Sequence, residues 1–123
     1  MAGEVGRVEV DLASHYRAAR AIDLALEHYA PAAEQSQRRF NFAHARALYE
    51  EMLPLLDMAN AEQRTLAKRI HYELGSLSMR LSEFGPAGDY FDRALGIAQA
   101  DGDRQMEGVC FCGKADLALL QNQ

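Results

Sequence analysis

Apolar residues recur at the three-to-four-residue spacing of a helix along almost the whole chain. The pattern predicts six helices, over 8–19, 22–39, 43–57, 61–82, 86–99 and 103–121, with short joints between them. Ala21 separates the first pair, Phe40-Asn41-Phe42 the next, and Met58-Ala59-Asn60 follows the third. Asn60 suits a helix N-cap, and Gln63 three residues on completes a capping-box pattern. Gly85-Pro86 marks the start of the fifth helix, because proline is pre-organised for the first helical position. Asp101-Gly102-Asp103 stops that helix and caps the sixth. Residues 1–7 are expected to fray, leaving one helical domain over 8–121.

Two prolines fall inside predicted helices, Pro31 and Pro54. Each lacks a backbone donor and its ring crowds the carbonyl four residues back. A kink is the expected result at each; at Pro31 a complete helix break is the competing reading.

An internal repeat underlies the pattern. Its core is a small residue, an aromatic four positions later and a small residue three beyond. It begins at Ala25 (Tyr29, Ala32), at Ala45 (Tyr49, then Met52 in place of a small residue) and at Ala87 (Phe91, Ala94). Leu12, Ala13, Tyr16 and Ile22 precede the first copy, and Phe42 and Leu53 flank the second. Alternating small and large residues let two helices interdigitate. Ala25 to Ala45 is 20 residues and Ala45 to Ala87 is 42. Helix 22–39 is therefore expected to close one hairpin and open the next.

Residues 70–99 resemble the tetratricopeptide repeat family: Leu74-Gly75, Phe84, Ala87, Phe91 and Ala94 fall at its signature spacings. His71, Ser78 and Gln99 stand where the family has Trp, Tyr and the closing Pro. Residues 6–39 give a second match, and 108–121 resemble the first helix of a further repeat, with Cys112-Gly113 in the place of Leu-Gly. The N-terminal half also resembles, more loosely, helical segments found beside bacterial nucleotide-binding regulators. The resemblance implies an all-α fold of antiparallel helical hairpins stacked into a short right-handed superhelix.

Composition agrees with helix. The 123 residues include 21 Ala and 15 Leu against eight Val, Ile and Thr together, too few β-branched residues for a sheet of any size. A net charge of −5 and a pI near 5.3 argue against nucleic acid as partner. No run of eighteen apolar residues exists to span a membrane, and MAGEVGRVEV lacks a signal peptide's apolar core. Cys110 and Cys112 are then expected to be reduced thiols, and the protein to be cytoplasmic.

Catalytic and cofactor signatures are weak. His15, His28, His44 and His71 are never four apart, so no helical metal pair forms. Cys110 and Cys112 point about 200° apart on a helix and do not converge on one ion; Cys112 occupies a repeat position that is normally core. No glycine-rich phosphate loop or nucleophile motif is present, and Glu34 and Glu50-Glu51 read as solvated surface. The expectation is a protein that is not an enzyme and carries no cofactor.

In the tetratricopeptide family the concave groove, lined by the first helix of each pair, holds an extended peptide or a partner helix. With Gly75 as anchor, the resemblance places Arg69, Tyr72, Ser76, Met79 and Arg80 in that groove. Gly113 adds Lys114 and Leu117, and Ala33 adds Glu34, Gln37 and Arg38. The basic members suit an acidic protein or peptide segment, arginine through a two-pronged bond. The family's carboxylate clamp is missing: Tyr72 stands where its first Lys would be and Ser76 where its Asn would be. The last helix, with GVCFCGKADLALL, is apolar over three turns, so self-association or continuation in a longer chain is expected. Three functions compete: a peptide-binding scaffold, a regulatory or oligomerisation segment of a larger signalling or transcription regulator, and an enzyme with a non-local site.

Overall fold

The computed structural model describes residues 7–122, with side chains from residue 18 onward. Most of the expected frayed segment 1–7, and the side chains of Leu12, Ala13, His15 and Tyr16, lie outside the described residues. The described chain is all-helical: α1 (Arg7–Arg38), α2 (Phe42–Met52), a 3-10 turn (Leu53–Leu55), α3 (Ala61–Arg80), α4 (Phe84–Asp101) and α5 (Arg104–Gln121).

The five α-helices correct the expectation of six. Helices 8–19 and 22–39 are one helix of 32 residues running through both Ala21 and Pro31. Nothing near Ala21 stops a helix: Ala18, Ala19, Arg20 and Ala25 are strong helix formers. Pro31 is exposed while Leu26 and Ala33 on either side of it are buried. The carbonyl that loses its partner can therefore bond water, and packing holds the axis. No separate hairpin 8–19/22–39 exists, so α1 opens a hairpin with α2 and closes none. Pro54 acts as a stop instead: α2 ends at Met52, the 3-10 turn follows, and Leu56 is extended (φ −81, ψ 136).

The caps form close to their predicted places. Asn60 Oδ1 accepts from Gln63 N at 3.1 Å, while the Gln63 side chain reaches past it to accept from Asp57 N at 2.7 Å. Gly102 adopts a left-handed φ of 69 and Asp103 caps α5 through Met106 N. Helix α4 begins at Phe84, two residues before Pro86.

The core is built on a 42-residue recurrence. Ala33, Ala45, Tyr49 and Met52 are buried, and so are Gly75, Ala87, Phe91 and Ala94, each 42 positions later. Ala25, Tyr29 and Ala32, the expected first copy, are half-buried or exposed; Leu26 and Ala33, one position on, take the buried stripe. Leu26, Tyr49, Met52, Ile70, Leu74 and Leu77 fill the space among α1, α2 and α3. Phe91 fills the space among α3, α4 and α5. A Cβ on Gly75 would lie 2.7 Å from its ring, and one on Gly113 2.8 Å, so both glycines exist to admit that ring.

Charged groups tie the far ends of the hairpins. Lys68 is only 5% exposed, and its Nζ lies 2.9 Å from Asp103 and 3.2 Å from Asp101. Arg64 Nε also bonds Asp101, at 2.5 Å. One lysine of α3 thus joins the end of α4 to the cap of α5, and these bonds hold both carboxyls below their ordinary range.

Candidate functional site

The groove residues expected on α3 divide by helical angle. Arg69, Ser76 and Arg80 share one stripe, while Tyr72 and Met79 turn toward α4 and α5. Tyr72 packs on Phe91, ring centroids 5.6 Å apart, and Met79 rests against the Ala87–Phe91–Leu117 cluster. Both are half-buried and serve the core more than a groove. Leu117 is buried, which removes it from the expected surface. Lys114 bonds Asp92 on α4 at 2.5 Å and lies outside the arginine cleft described next.

Ser76, although on the arginine stripe, does not line that cleft; the arginines do come together. Arg38, Arg69 and Arg80 line a cleft of about 430 Å³ with Glu34, Gln37, Phe40 and Phe42. Arg38 comes from the last turn of α1, where a cation also suits the helix dipole. Gln37 is fixed at both ends of its amide: it donates to Glu73 at 2.8 Å and accepts from the Tyr49 hydroxyl at 2.9 Å. Burial and the nearby Glu73 and Glu34 push that hydroxyl up to about 12, so it stays a donor. Arg80 lies over the Phe42 ring, 5.2 Å from its centroid, which orients the guanidinium, and it forms no ion pair among the described residues. Arg69 meets Glu34 loosely, at 3.6 Å with both side chains exposed, a contact worth little in water.

Three arginines against Glu34 on the wall and Glu73 behind Gln37 leave this cleft positive on a protein of net charge −5. A second cleft, between the middle of α1 and the start of α3, has the opposite balance: Arg20 against Asp23, Glu27 and Glu62. Phe40, read from sequence only as a joint, and Phe42, read as a joint and as part of the second repeat copy, are the cleft residues that sequence reasoning missed; two aromatics flanking an asparagine directly after Arg38-Arg39 were the available signal.

Cysteine placement reverses the expectation. Cys112 is exposed and Cys110 buried, because α5 turns Met106, Cys110, Gly113 and Leu117 inward. Burial raises the Cys110 thiol above its ordinary value, which makes it a poor nucleophile. Among the described residues, no three His, Cys, Asp or Glu side chains converge as metal ligands, and no helix is long and apolar enough to cross a membrane.

No family model matches the chain, and no curated protein or solved structure is significantly similar to it.

Proposed function

We propose that this protein is a tetratricopeptide-like interaction scaffold whose arginine cleft captures an acidic peptide segment of a partner protein. The observation that carries this reading is the positive cleft itself, in which Arg38 and Arg80 have no carboxylate within 4 Å among the described residues. Unpaired guanidiniums, that of Arg80 oriented by the Phe42 ring, offer two-pronged bonds to carboxylates. The 42-residue recurrence supports a repeat scaffold, since hairpins that repeat build a surface from equivalent positions. The role is binding rather than catalysis, in the cytoplasm where Cys110 and Cys112 remain thiols.

Fluorescence anisotropy tests the reading with labelled heptapeptides rich in Glu, and the same peptides with Gln in its place. Wild type should prefer the Glu peptides, and raising salt should weaken them. Arg38→Glu/Arg80→Glu should lower that affinity at least about tenfold, the loss of one good charge-assisted contact. Lys114→Glu should leave it unchanged, and circular dichroism should show all variants equally helical. Equal affinity for Glu and Gln peptides would overturn the proposal.

A second reading, a regulatory or oligomerisation segment, draws on α5. Opposite its inward stripe, Gly108, Phe111, Cys112, Ala115 and Leu119 form an outward one, with Phe111 53% and Leu119 66% exposed. A helix apolar on two opposite sides is suited to a layer on each.

A further inference from the structure

Three corners of the fold share one turn. After α1, α3 and α4 the chain bonds back onto the helix it leaves: Asn41 N donates to Ser36 O at 2.9 Å, Glu83 N to Ser78 O at 2.8 Å, and Asp103 N to Ala98 O at 2.8 Å. The residue before each donor is left-handed: Phe40 at φ 61, Ser82 at φ 61 and Gly102 at φ 69. This position favours glycine, because a Cβ crowds the backbone there. Gly102 follows that preference, and Ser82, 42 residues after Phe40, is small. Phe40 departs from it with a large ring.

That ring gains nothing from the core. Phe40 is 77% exposed, and its aromatic neighbour is Phe42, edge-on with centroids 6.0 Å apart. It stands at the wall of the cleft that holds Arg38 and Arg80. A strained backbone position carrying a solvent-exposed aromatic beside unpaired cations is an arrangement for contact rather than for stability. An aromatic ring also brings large contact area with few rotatable bonds.

Building on the acidic-segment reading, we infer that Phe40 is the specificity-determining contact of the cleft. It takes an apolar side chain adjacent in sequence to the carboxylate that Arg38 and Arg80 hold. The partner class narrows accordingly, from any acidic segment to one in which an acidic residue neighbours a leucine or an aromatic.

The test uses labelled peptides Gly-Ser-Glu-X-Glu-Ser-Gly with X as Ser, Leu or Phe, titrated against wild type and Phe40→Gly. Wild type should favour Leu and Phe over Ser by about tenfold, the scale of one apolar side chain leaving water. In Phe40→Gly the preference should fall below about twofold. The variant's melting temperature should hold or rise by a few degrees, since glycine relieves the left-handed strain. A preference unchanged in Phe40→Gly overturns the inference, as does a drop in melting temperature, which would make the ring a structural element. Binding of all three peptides equally by wild type overturns the role of Phe40 alone. Failure of every acidic peptide to bind wild type overturns the acidic-segment reading and this inference with it.

Discussion

Phe91 is the side chain on which the second half of the molecule turns. Its ring occupies the places where Cβ atoms on Gly75 and Gly113 would sit, so α3 and α5 approach it from two sides. Neither glycine is needed for its backbone angle; both are helical, and what each supplies is room. Gly75→Ala should therefore cost about 1–3 kcal/mol by overpacking, despite alanine's better helix propensity. Phe91→Leu would also destabilise, but the double variant should lose less than the sum, because the smaller side chain vacates the contested space. Additive losses in urea unfolding would show that Gly75 matters for some reason other than Phe91. The Leu74-Gly75…Phe91 spacing was legible in sequence; that Gly113 shares the same ring was not, since it joins residues of two different hairpins.

Helices carry their own lesson. Helix α1 runs through Pro31 because the proline faces solvent while Leu26 and Ala33 are held in the core. The missing backbone bond remains a cost, so Pro31→Ala should stabilise the protein, by roughly 1–3 kcal/mol on the scale of proline in a helix interior. Chemical unfolding measures this directly; an unchanged or lower midpoint would mean that the proline itself is required by the packing of α1 on α2 and α3. Pro54 had the same sequence signal and the opposite outcome, ending α2 in a 3-10 turn. Each proline lacks the same backbone donor. What differs is the burial of the residues that follow: Ala33 enters the core, whereas Leu55 and Leu56 are only partly buried against it.

For the molecule as a whole, the acid response rests on His71. This imidazole is half-buried between α3 and α4, its ring 6.1 Å from Tyr90, and Nδ1 has no hydrogen-bond partner. Burial first, and the Arg93 charge second, push its pKa below the ordinary 6.5. As pH falls, the unfolded chain takes up this proton before the folded one does. The stability is thus fully present above pH 6.5 and is lost as pH falls below it toward the folded-state value. His71→Phe should flatten the fall in melting temperature between pH 7 and pH 5. A wild-type curve that is already flat there, or an equally steep one in the variant, would remove His71 from that role. Asp101 and Asp103, held below their ordinary values by Lys68 and Arg64, act only at lower pH.

Periodicity, alanine content and the caps at Asn60, Gly102 and Asp103 were sufficient for helix type, for the three C-terminal helices and for the α3–α4 core, because each depends on neighbours within a turn or on one short hairpin. Tertiary contacts decided the rest: that α1 continues through Pro31, that Cys110 rather than Cys112 faces inward, that Tyr72, Met79 and Leu117 serve the core, and that Arg38, Arg69, Arg80, Phe40 and Phe42 line one cleft. A helix pattern shows which residues share a face, but only the packing of one helix on another shows which of two apolar faces is buried and which side chains of separate helices meet.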